Sequence, residues 1–232
     1  MAEHEVLVKI REMILTGKLP PGERLTEVGM AEMIKVSRTP VRAALPALAE
    51  QGLLTPVGRR GFAVTAFTDV ECIAALEIRS MLEGMAARSI AIRGLDPELL
   101  ATLKERLAEG DALLEKRYVT LADEEAYGRM NTGFHDAIVA ATGVPLLADL
   151  VHRVNLVPFV SPGAVTFSKL GLSQAYQLLF YTHQQHHAIV QAMVEGDGGR
   201  AESLFREHAK SQRDSMWQSV PRNGAVTEEP KR

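Results

Sequence analysis

Asn131 and His135 stand four residues apart in a helical pattern, His186 shares an arc with Ile189, Val190 and Met193, and His208 lies beside Leu204 and Phe205. At 3.6 residues per turn these positions fall on inward faces, so three helices aim an imidazole at one interior. Buried imidazoles have two roles open to them, ligand to a divalent cation or hydrogen-bonded core residue. His183 and His187 flank His186 and read as non-ligands, while His152 has no partner that spacing identifies. Arg79 carries a different chemistry. Ala75, Arg79, Leu82, Ala86 and Ile90 form a stripe that is apolar except for the arginine, which therefore points inward and must meet an anion. That anion is either Glu83, one turn on, or the carboxylate of a bound ligand held in a bidentate clamp.

A third chemistry lies near the N-terminus. Ala31 to Val64 contains a short helix, a tight turn, the run Val36-Ser37-Arg38-Thr39-Pro40-Val41-Arg42 and a Gly-Arg-Arg-Gly turn. Ser37 or Thr39 can cap a helix there, Pro40 suits its first turn, and Gly52 supplies a left-handed stop. Arg38 and Arg42 share one face of that helix and could reach phosphates or a guanine edge in a major groove. Leu53–Val57 and Phe62–Ala66 read as two strands joined by Gly58-Arg59-Arg60-Gly61. This turn is either a solvated basic hairpin or a wing whose arginines meet backbone phosphate or enter a minor groove.

Residues 6–66, through VSRTPVR, EQGLL and GRRGFAV, resemble the N-terminal domain of the GntR family of bacterial transcriptional regulators. The resemblance implies a DNA-contacting set of Arg38, Thr39, Arg42, Arg59, Arg60 and Gly61. Pro46 departs from the family, which usually has a basic or polar residue there. A proline inside a regular helix costs about 3 kcal/mol, so the reading helix is expected to kink or to end early. The helical remainder resembles the FadR-like ligand-binding (FCD) domain, and its length of about 150 residues looks like the VanR subgroup. That likeness implies metal ligands at Asn131, His135, His186 and His208, with Zn²⁺, Ni²⁺ or Mn²⁺ suited to the donors. Asn131 stands where the family has aspartate, which removes one negative charge from the set. It also implies a small organic acid as effector, held by Arg79, with Arg153 a lesser candidate and Tyr127 and Asn155 as polar lining.

The elements that must position these residues follow from the pattern. Thr68 with Glu71 makes a capping box, and helices are expected at 69–93, 97–117, 121–141, 145–157, 171–195 and 198–218. The fold class is mainly α: a winged helix-turn-helix of three helices plus a β-hairpin wing over 1–67, an all-α antiparallel bundle for effector, metal and dimerisation over 68–220, and a disordered tail over 221–232. The 232 residues are 46% hydrophobic with a net charge of −3, enough for one small and one larger core. Residues 1–68 hold nine basic against seven acidic residues, whereas the remainder holds 17 against 22. A basic footprint sits where nucleic acid would bind and an acidic remainder would repel it. Cys72 is the single cysteine, which excludes an intrachain disulfide and fits a reducing cytoplasm. No signal-peptide pattern or membrane-length apolar run is present.

Two other function classes share some of these features. His135-Asp136 on a helix is a fragment of the set used by metal-dependent HD phosphohydrolases, but no histidine lies between His4 and His135 to complete it. The other is an effector-binding module in which Pro46 has impaired DNA reading. The reading adopted is a homodimeric repressor that binds a palindromic double-stranded operator, because a single winged helix offers too little surface for specific affinity.

Overall fold

The computed structural model describes residues 3–15, 17–58, 61–157, 160–163 and 172–219. The N-terminal unit contains α1 (Glu3–Leu15), β1 (Arg24–Leu25), α2 (Glu27–Ile34), α3 (Arg38–Glu50), β2 (Leu54–Val57) and β3 (Gly61–Val64). Thr26 caps α2 by accepting from the Gly29 N–H at 3.1 Å, and Lys35 closes it in a left-handed conformation with φ 58°. Ser37 occupies the N-cap position of α3, but its side chain makes no capping bond. Of the two outcomes expected at Pro46, a kink or an early end, the early end does not occur: α3 continues through Pro46 to Glu50. Pro46 is exposed, while Val41, Ala44, Leu45 and Leu48 are buried on the other face with Val6, Ile10 and Leu53. Burial of those four side chains, each worth up to about 1.5–3 kcal/mol for the larger ones, outweighs the one hydrogen bond that proline removes.

Gly52, with φ 78°, turns the chain from α3 into β2. The wing strands pair antiparallel with Thr55 opposite Ala63. The sheet has a third strand that sequence pattern did not indicate: β1 pairs with β3, giving the order β1-β3-β2. Two residues are too short to show a period of two.

The second unit is helical: α4 (Asp69–Arg93), α5 (Pro97–Leu114), α6 (Leu121–Ala141), α7 (Pro145–Asn155), α8 (Leu172–Val194) and α9 (Gly198–Ser219). The capping box at the start of α4 is made in both directions, Thr68 N–H to Glu71 Oε2 at 2.7 Å and Glu71 N–H to Thr68 Oγ1 at 3.2 Å. α5 stops at Leu114, short of expectation, and Arg117 beyond it takes a left-handed φ of 60°. The core gathers Ala87, Ile90, Phe134, Ile138, Ile189, Met193 and Phe205 from α4, α6, α8 and α9. Among the described residues no helix is long and apolar enough to cross a membrane. The tail at 221–232 lies outside the described residues.

The two units touch. Leu156, at the end of α7, packs against the N-terminal core, and Val160 is buried against Ala75, Leu76 and Ala209. Leu156 thus touches the winged-helix core while Val160, four residues on, is buried in the bundle.

Candidate functional site

On the N-terminal unit, burial of Pro40, Val41, Ala44, Leu45 and Leu48 leaves Arg38, Thr39 and Arg42 on the opposite, exposed face of α3. Arg38 is 3.5 Å from Glu27 Oε2 on α2, a pair that is largely solvated. Such a pair contributes at most about 1 kcal/mol and leaves the guanidinium available to an incoming phosphate. Arg59 and Arg60 lie outside the described residues, while Gly61 opens β3.

In the bundle, α6, α8 and α9 bring His135, His186 and His208 together, with one ligand nitrogen of each within 4.8 Å of the others and all three rings buried. Phe134 lies against the His186 ring at 4.4 Å between centroids, and Phe205 presents an edge to His135 at 5.6 Å. These apolar walls exclude water. Burial, with the neighbouring histidines, holds His186 well below the usual histidine range, and burial with His135 and Arg79 does the same for His208. Both rings are therefore neutral near pH 7 and offer lone pairs.

A row of contacts runs through these rings. His183 Nε2 lies 3.1 Å from the Leu107 carbonyl, His183 Nδ1 lies 3.4 Å from His186 Nδ1, His186 Nε2 lies 3.3 Å from His208 Nε2, and His208 Nδ1 lies 3.2 Å from Gln185 Oε1. Each of these four contacts needs an N–H, because Leu107 O and Gln185 Oε1 only accept. Three neutral imidazoles carry three N–H groups. With Gln185 Oε1 facing His208, one contact then sets two lone pairs against each other; a cation there would relieve it, as would turning the Gln185 amide so that its buried, unpartnered Nε2 donates to His208. If His183 donates to Leu107, His186 to His183 and His208 to Gln185, the deficit falls between His186 Nε2 and His208 Nε2. That is the place where a divalent ion would draw on both. His135 Nε2 and, one helical turn before it on α6, Asn131 Oδ1 are buried and also have no partner. Asn131 Nδ2 donates to the Pro162 carbonyl at 2.7 Å, which leaves its oxygen free to ligate. The donor set thus fits a metal on its own chemistry.

Glu83 completes the site and was not identified as part of it from sequence. Its Oε2 lies 2.9 Å from His135 Nδ1 and 3.4 Å from Arg79 Nε, all three side chains being about 1% exposed. Burial raises the Glu83 carboxyl, but its contacts with His135 and Arg79 outweigh that and hold it below the usual carboxylate range. The first contact is of the kind that orients metal-binding histidines. Its signal in sequence was only the i, i+4 spacing to Arg79. Gln185, which receives both His208 and the Ser211 hydroxyl, gave none.

The predicted effector residues are placed differently. Arg79 does point inward, but its guanidinium is already engaged: Nη1 donates to the Val160 carbonyl, Nη2 to Gln212 Oε1 at 2.8 Å, and Nε faces Glu83. Of the two anions expected for Arg79, Glu83 is the one it meets, as a buried strut, and the clamp on a ligand carboxylate is not preformed. The Tyr127 hydroxyl donates to the Leu179 carbonyl at 3.5 Å inside a separate apolar cluster with Leu114, Val119 and Met130, where burial pushes its pKa up. It does not line an open site. Arg153 is exposed on α7, and Asn155 is half-buried with an unpartnered Oδ1. Asp136 is exposed outside the histidine group, so His135-Asp136 does not act as a ligand pair.

Comparison with known proteins gives two domain matches: the gntR family of bacterial regulatory proteins over residues 3–64 and the FCD domain over residues 74–211. The uncharacterized HTH-type transcriptional regulator YdhC of Bacillus subtilis is 32% identical over 147 residues, 63% of each chain. The HTH-type transcriptional repressor GlaR of Escherichia coli is 27% identical over 205 residues, covering 86% of this chain and 88% of the relative. Among solved structures, E. coli McbR/YncC superimposes with a TM-score of 0.72 at 23% identity, covering 94% of this chain and 97% of that one, a likeness of fold.

Proposed function

We propose a working mechanism for this chain, which belongs to the GntR family of bacterial transcriptional regulators in its FCD branch: α3 and the wing hold an operator, and the state of the buried histidine site decides how firmly. The protein is a DNA-binding regulator and not an enzyme. Repression is the mode, as the name of the relative GlaR states for that protein. Arg42 reads a base edge, Arg38, Thr39 and Gly61 meet the backbone, and Arg59 and Arg60 reach a groove from the wing. The intact face of α3 argues against a module that has lost DNA reading through Pro46.

His135, His186 and His208, with the Asn131 oxygen, would hold a divalent cation. When bound, that ion supplies positive charge to which the carboxylate of a small organic acid can bind. The chain's own residues carry the consequence outward. Glu83 touches His135 on one side and Arg79 on the other, and Arg79 holds the Val160 carbonyl. Val160 lies in the segment after α7 whose Leu156 packs on the winged-helix core. A change of charge or position at His135 is therefore transmitted through a buried ion pair to the contact between the two units. This strut is the observation on which the mechanism rests.

Two copies reading a palindrome would meet along α4, where Ile78, Met81, Met85 and Ile92 repeat on one face and are 49–66% exposed. The strut is tested by operator binding in a gel shift on the upstream intergenic DNA, with a panel of small carboxylic acids. Arg79→Gln, with its fold verified by circular dichroism, is expected to lose the acid-induced release of whatever operator it binds. An Arg79→Gln variant that releases operator at the wild-type acid concentration would refute the transmission path.

A further inference from the structure

Asp111 on α5 and His183 and His187 on α8 bring three ligand atoms together outside the three-histidine group. Asp111 Oδ1 lies 3.2 Å from His183 Nε2 and 3.0 Å from His187 Nε2. Ligand atoms on a tetrahedral Zn²⁺ with bonds of about 2.0–2.1 Å stand about 3.3 Å apart, so these separations need little adjustment to receive the ion. The Leu107 carbonyl, 3.1 Å from His183 Nε2, offers an oxygen on another side. The seat is built: the buried His183 ring lies over Gly110, where a Cβ would fall 2.1 Å from its Cε1, so only glycine admits the ring in this position. Asp111 and His183 also line a cavity of about 250 Å³ with Arg117, Tyr176 and Phe180, which gives an ion access from solvent.

We propose that Asp111, His183 and His187 form a second divalent-cation site on the wall of this cavity, and that it acts in opposition to the three-histidine group. The opposition follows from the row of contacts with Gln185 Oε1 accepting from His208 at its end. Zn²⁺ on His183 Nε2 takes the place of the proton there, so the neutral ring carries its proton on Nδ1 and donates to His186 Nδ1. His186 then carries its own proton on Nε2 and donates to His208 Nε2. No proton is gained or lost by the two rings beyond this shift of tautomer. The gap that a cation would fill in the core is closed by an N–H, and the lone pair His186 would offer there is used. A cation in the core demands the reverse arrangement, with His183 Nε2–H donating to Leu107. One deficit of a proton can be met at either end of the row, and a cation at one end weakens the other.

The test uses the full chain freed of metal by chelator, Zn²⁺ as the probe, calorimetry for binding and circular dichroism for fold. In His208→Gln, which breaks the core group, one equivalent of Zn²⁺ is expected to bind, and adding His187→Gln at a half-exposed position is expected to weaken it at least tenfold. In wild type the second equivalent is expected to bind at least tenfold more weakly than that equivalent binds to His208→Gln. His135→Gln replaces His208→Gln if the latter does not fold. Failure of the core-broken variant to bind Zn²⁺, or binding that His187→Gln leaves within twofold, would overturn the site. A second equivalent that binds wild type and His208→Gln equally would overturn the opposition. A wild type that binds a single equivalent, lost in His187→Gln and kept in His208→Gln, would support this site while removing the three-histidine one.

Discussion

Replacing Arg79 with methionine removes the guanidinium that faces Glu83 while keeping an unbranched side chain of similar reach in the core. Glu83 is about 1% exposed, neither of its oxygens has an aligned hydrogen bond, and it faces the His135 ring at 2.9 Å and the Arg79 guanidinium at 3.4 Å. Removing one partner of a buried pair costs about 3–5 kcal/mol, far above the few tenths that the same i, i+4 pair would be worth in water. The Val160 carbonyl keeps an acceptor role toward Gln212 Nε2 at 3.3 Å, so the loss is concentrated on Glu83. Its sign with pH is fixed. In wild type the carboxyl is held low, so its contribution is present above the unfolded value of about 4.3 and is lost as pH falls through the folded value. Without Arg79 the folded value rises, and the unfolded value is common to both proteins. The deficit of the variant is thus full near pH 7 and shrinks as pH falls through the variant's folded pKa. Urea denaturation of chelator-treated protein is expected to show a deficit of about 3–5 kcal/mol at pH 7, with Arg79→Met/Glu83→Gln regaining about half of it. A deficit under about 1 kcal/mol, or one that stays constant from pH 7 to pH 4, would refute the reasoning.

Asn131→Asp restores a charge to the core group, and the protein is expected to resist removal of Zn²⁺ by chelator at least tenfold better than wild type; an unchanged chelator midpoint would exclude Asn131 as a ligand. Arg42→Ala is expected to weaken operator binding by about 1–3 kcal/mol and to relax specificity at one position, whereas Arg60→Ala should weaken all sequences alike and flatten the salt dependence; identical specificity profiles for wild type and Arg42→Ala would remove the base-reading role. Met85→Glu places a charge on the exposed α4 stripe and is expected to turn a dimer into a monomer in sedimentation velocity; a wild type that is already monomeric at micromolar concentration would dispose of that interface.

Local order was legible in this sequence because it is made by neighbours along the chain. The capping box at Thr68 and Glu71, the helix after Ser37, the stop at Gly52 and the inward turn of His135, His186, His208 and Arg79 all depend on residues within one or two helical turns. Pro46 shows the limit of that reasoning, since a local penalty left an early end open, and the burial of Val41, Leu45 and Leu48 against distant residues carries the helix past it. β1 was invisible because a two-residue strand exists only through its pairing with β3. The same holds for the site. Spacing could place Glu83 next to Arg79, but its approach to His135, the capture of Arg79 by Val160 and Gln212, and the meeting of Asp111 with His183 and His187 depend on how α4, α5, α6, α8 and α9 slide and rotate against one another. A helix's own periodicity sets which face a side chain takes, whereas its partner on that face is chosen by interlocking of side chains across the bundle, and that register is a property of the packed core alone.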